Sequence, residues 1–95
     1  MTHRPARAAA LAALAQALIP PRGPRPGGGD VLAAPAAVAR LLAARPDLEP
    51  VLATVLDGFE GDAAGYLDHL ERTDAPRFGA FLQAVLGAYF LDAPP

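Results

Sequence analysis

The apolar residues Phe78, Phe81, Leu82, Val85, Leu86 and Tyr89 fall at offsets of 0, 3, 4, 7, 8 and 11. All six therefore share one face of a helix, and they do not fit the two-residue repeat of a strand. Asp74 is placed to cap this helix and Pro76 to occupy its first turn, where a missing N–H costs nothing. Phe90 and Leu91 lie partly outside the stripe, which leaves an aromatic near the surface. The rest of the chain points the same way. It has 23 alanines and 14 leucines, which lose little entropy in a helix, against five valines and one isoleucine, too few for a sheet. At 95 residues, one helical domain covering 1–95 is expected. A chain this short buries only about 60% of its unfolded surface.

Four further helices are expected. Leu11, Leu14, Leu18 and Ile19 form one face of a first helix, with alanine and Gln16 opposite. It starts near Pro5, with Thr2 as its cap, and stops before Pro20-Pro21, because a residue preceding proline avoids the α region. Residues 20–30 then carry four prolines and four glycines in eleven positions. Such a segment reads as a surface loop or arm with the glycine triplet as a hinge. A second helix runs from about Asp30 or Pro35 to Ala44, with Val38, Leu41 and Leu42 inward. Pro35 either sits in its first turn or separates a short turn capped by Asp30 from the main helix. A third starts at Asp47 and carries the stripe Leu48, Leu52, Val55, Leu56 and Phe59. A fourth spans Asp62 to about Arg72 with Tyr66, Leu67 and Leu70 inward. The expected architecture is an all-α bundle of four to five short helices with a Pro/Gly-rich loop after the first.

Composition closes off most chemistry. Without cysteine there are no disulfides, thiol nucleophiles, zinc knuckles or iron–sulfur ligands. Without lysine or serine there is no Schiff base, serine nucleophile or P-loop lysine. Asp68 and His69 are adjacent on a helix and diverge by about 100°, so they cannot chelate together. Asp57, Glu60, Asp62, Asp68 and Glu71 read as a solvated acidic face, and Glu60-Gly61-Asp62 lacks the ligand pattern of a calcium loop. The expectation is a chain that is not an enzyme and holds no metal or cofactor.

Charge is segregated along the chain. Residues 1–45 hold six arginines against Asp30, a net of +5, and residues 46–95 hold two arginines against nine carboxylates, a net of −7. The two halves can attract each other or face complementary partners. No aromatic lies among the N-terminal arginines, so base stacking has no platform and nucleic acid is not an expected partner. The opening resembles a signal peptide in outline, but its leucines keep helical spacing and no clean cleavage site follows. With no twin arginine and no run of the roughly 18–20 apolar residues a membrane span needs, a cytoplasmic chain is expected. A periplasmic location would follow only from export together with a partner.

Two stretches resemble the gluconate 2-dehydrogenase subunit 3 family, the small non-catalytic subunit of membrane-linked sugar dehydrogenases. One is Leu11-Ala12-Ala13-Leu14-Ala15-Gln16-Ala17-Leu18-Ile19-Pro20 with the Pro/Gly-rich segment after it. The other is Arg77-Phe78, Phe81-Leu82 through Val85, and Ala88-Tyr89-Phe90-Leu91-Asp92, similar to that family's closing tyrosine helix. The resemblance spans most of residues 8–95. The chain departs from the family in lacking a twin-arginine signal and in ending soon after the tyrosine helix. The resemblance implies a companion of a larger FAD-dependent dehydrogenase or oxidase of the glucose–methanol–choline type, with the flavin in that subunit and none here. Arg22 and Arg25 in the arm, together with Leu18, Tyr89 and Phe90, are the residues expected to touch the partner. The alternative is a free-standing, self-associating helical regulator or binding module that uses its basic N-terminal half.

Overall fold

The structure is a computed structural model that describes residues 7–32 and 35–92. Among these are six α-helices: α1 (Arg7–Leu18), α2 (Gly28–Leu32), α3 (Pro35–Ala44), α4 (Glu49–Asp57), α5 (Ala63–Thr73) and α6 (Ala75–Asp92), with a 3-10 turn at Pro46–Leu48 before α4. The all-α bundle is the fold the sequence leads one to expect. The start of the first helix, with Thr2 and Pro5, lies outside the described residues.

Buried side chains from all six helices and the 3-10 turn form one cluster around α6. That helix packs against α2, α3, α4 and α5, while α1 packs against α2, α4 and α5. Phe81 and Val85 of the α6 stripe are fully enclosed, and Ala84 and Ala88 beside them let neighbouring helices close in. Burying a side chain such as Phe81 contributes about 2–3 kcal/mol. Phe78, with Leu82 and Leu86, is half-buried at the margin of the core.

Local chemistry sets the helix ends. Asp62 sits in extended backbone and its carboxylate accepts from the Gly65 N–H at 2.7 Å, an N-cap on α5. Asp74 accepts from the Arg77 N–H at 3.2 Å at the start of α6. Pro35 is the first residue of α3, as the first-turn alternative has it, and the short helix before it, α2, begins at Gly28. The Asp30 carboxylate reaches back to accept from the Gly27 N–H at 2.9 Å. Asp47 does not cap a helix: Pro46 tightens the chain into the 3-10 turn, α4 starts two residues later, and Pro50 occupies its first turn. The Asp47 carboxylate instead takes a bidentate pair from Arg45, at 3.0 and 2.9 Å.

The basic and acidic halves are joined directly. Arg7 of α1 donates through Nε and Nη2 to the two carboxylate oxygens of Asp57, at 2.9 and 2.7 Å. Both side chains are exposed, so solvent and salt screen the pair and it adds little to stability.

Candidate partner-binding surface

The Pro/Gly segment is not a hinged linker. Its glycine end is built into the bundle: Gly27 and Gly28 are buried, and α2 lies directly on the alanine face of α1. A Cβ on Gly28 would fall on the Ala15 carbonyl, and one on Gly29 on the Ala12 carbonyl. Only glycine permits that approach. The Gly28 N–H donates to the Ile19 carbonyl at 2.7 Å, and the Gly29 N–H donates to Gln16 Oε1 at 2.9 Å. Gln16, read from sequence as part of a face opposite the core, is the polar anchor for this crossing. The pairing of small residues at 12 and 15 with a glycine triplet was the sequence signal for it.

Pro20 to Arg25 remain exposed as the loop turns. Arg22 and Arg25 exchange both backbone hydrogen bonds, each at 3.0 Å, across the tip formed by Gly23 and Pro24. Gly23 takes a φ of +57°, as the first central residue of a primed hairpin turn requires. Among the described residues neither guanidinium meets a carboxylate. By contrast, Arg7, Arg45, Arg72 and Arg77 pair with Asp57, Asp47, Asp68 and Asp74.

Tyr89 does not lie at the surface. It is 3% exposed, its ring belongs to the buried face of α6, and its hydroxyl donates to the Pro26 carbonyl at 2.8 Å. It supports the loop from beneath instead of offering itself to a partner. Leu18 is half-buried and packs on the core edge with Ile19. Phe90 is 72% exposed and Leu91 57%. The Phe90 ring meets the Tyr89 ring edge-on, with centroids 5.3 Å apart at 84°. Phe90 and Leu91 thus form an apolar end on α6, and Tyr89 connects that end to the hairpin carrying Arg22 and Arg25. Leu91 was not among the residues singled out from sequence, although its departure from the stripe was the available sign.

Gly58, Glu60, Asp62, Gly65, Tyr66 and His69 line an open cleft of about 500 Å³. Two of its polar side chains are occupied structurally. Asp62 caps α5, and the Tyr66 hydroxyl donates to the Val55 carbonyl at 2.7 Å while its ring packs on Phe59. Burial raises the Tyr66 pKa above the ordinary phenol value, with Arg77 opposing. His69 and Glu60 are exposed. Hydrogen bonding from Arg45 lowers the Asp47 pKa, and the same bond raises that of Arg45. Among the described residues no three histidines or carboxylates gather as a metal site, and no helix is long and apolar enough to cross a membrane. No protein-family model, curated protein or solved structure matches the chain.

Proposed function

We propose that this chain is a non-catalytic accessory subunit that binds and stabilises a larger FAD-dependent oxidoreductase of the glucose–methanol–choline type, acting on a sugar or an alcohol. The observation that carries the binding role is the exposure of Phe90 and Leu91 at the end of a helix whose other large apolar residues are buried or half-buried. Covering such surface stabilises a complex by about 25 cal/mol per Å² before association costs. Aromatic and arginine side chains together are the usual anchors of protein interfaces, and Arg22 and Arg25 stand exposed on the hairpin that Tyr89 holds through Pro26.

The partner class rests on the resemblance of the first and last helices. The two resembling stretches meet in the fold, because Tyr89 of one holds Pro26 in the loop that follows the other. The non-catalytic reading is supported by the absence of cysteine, serine and lysine from the sequence and by the structural use of Asp57, Asp62, Asp68 and Asp74. The flavin bound in the partner would supply the hydride chemistry, and this chain would supply binding surface.

The test is affinity purification of the tagged full chain from its native host, followed by gel filtration and flavin absorbance. A larger flavoprotein eluting with the chain in fixed proportion is the expected result. A homodimer with no partner would favour the self-associating regulator instead, and a colourless complex would overturn the flavoprotein assignment.

A further inference from the structure

We infer that Arg22 and Arg25 form a carboxylate clamp for an acidic segment of the partner protein, with an apolar residue of that segment lying on Phe90 and Leu91. The inference rests on the accessory-subunit reading and adds the chemistry of what the surface recognises.

Residues that exchange both backbone bonds are directly opposed, and opposed side chains leave a β-bridge on the same face. The hairpin therefore roots the two arginine side chains directly opposite each other, about 5.5 Å apart at Cα. Like charges in that position repel, which destabilises the free chain until an anion bridges them. No described carboxylate does so, although four other arginines each hold one. The turn is not free to swing the pair apart. Gly23 and Pro24 fix its tip, the Gly28–Ile19 bond closes its base, and Tyr89 holds Pro26 next to Arg25. Two arginines unpaired among the described residues and rooted opposite each other can converge on one carboxylate, which a planar guanidinium fork binds bidentately. Phe90 and Leu91 supply an exposed apolar contact, linked to the hairpin through Tyr89 and Pro26, which favours a peptide segment over a polyanion. Phe90 already lies edge-on to Tyr89, and no aromatic stands between the two arginines to stack a base.

The probes are a fluorescent amphipathic peptide of leucine, alanine and glutamate, its glutamine counterpart, and an oligothymidylate, each titrated onto the full chain by anisotropy. The glutamate peptide is expected to bind about tenfold more tightly than the glutamine peptide. Arg22→Glu/Arg25→Glu should abolish that difference while leaving thermal unfolding unchanged, and Arg22→Lys/Arg25→Lys should retain only part of it. Phe90→Ser should weaken both peptides alike. Equal affinity for the two peptides, indifference to the charge reversal, or tighter binding of the oligothymidylate would overturn the clamp. If the flavoprotein co-purifies equally with the charge-reversed chain, the clamp fails and the accessory role stands. If the clamp behaves as expected and no flavoprotein is recovered, only the partner's identity fails.

Discussion

The hydroxyl of Tyr89 donates to the carbonyl of Pro26 across 2.8 Å, joining the last helix to a loop 63 positions earlier. The aromatic body of Tyr89 fills the core, while its polar tip satisfies a part-buried carbonyl in a proline-rich segment whose own backbone pairing is the single Arg22–Arg25 bridge. The position of the Arg22–Arg25 hairpin over the bundle depends on this bond.

Replacing Tyr89 by phenylalanine keeps the ring and removes the bond. Stability should fall by about 1 kcal/mol, and by somewhat more if water does not reach the Pro26 carbonyl. Urea denaturation followed by circular dichroism measures this. An unchanged midpoint would mean that the loop is held without Tyr89.

Alanine is ordinarily the better helix residue, and a Gly→Ala exchange in a helix gains roughly 0.5–1 kcal/mol. At Gly28 the sign should reverse. The new methyl would collide with the Ala15 carbonyl and push α2 off α1, at a cost of about 1–3 kcal/mol. The same denaturation experiment reads it, and a stabilised Gly28→Ala would contradict the close crossing.

These two positions mark the limit of what the sequence made legible. Periodicity located α4, α5 and α6, and it placed Phe81, Val85, Leu52 and Leu67 inside, because one-sided burial leaves a 3.6-residue trace. The crossing of α1 and α2 left no apolar trace, since glycine and alanine bury backbone instead of side chain. The Pro/Gly run consequently looked like a linker. Tyr89 was legible as part of the buried stripe, but its bond to Pro26 was not, because a backbone carbonyl partner is encoded by no side-chain pattern. Phe90 was legible as exposed because it breaks the stripe. The pairing state of Arg22 and Arg25 was not, because ion pairs depend on which carboxylates the fold brings near.

Tyr66 should impose an alkaline limit on stability. Burial raises its folded pKa above the unfolded value. Its contribution is therefore fully present below about pH 10 and is lost as pH rises through the folded value. Tyr66→Phe should be less stable at neutral pH, having lost the bond to Val55, yet show a shallower decline above about pH 10. Denaturation midpoints across that range test the sign. An equally steep decline in the variant would remove Tyr66 from the account.

The end of α6, with Phe90 and Leu91, is the surface proposed for the partner. Phe90→Gln/Leu91→Gln removes the exposed apolar end with good helix formers and adds no charge beside Asp92, so the free chain should lose no more than the edge-on contact with Tyr89, about 0.5–1.5 kcal/mol. Purifying this variant and the unaltered chain side by side from the native host, and comparing the flavin absorbance that elutes with each, is the most direct measurement. The account predicts a flavoprotein with the unaltered chain and its loss from the variant. Equal recovery with both would contradict it.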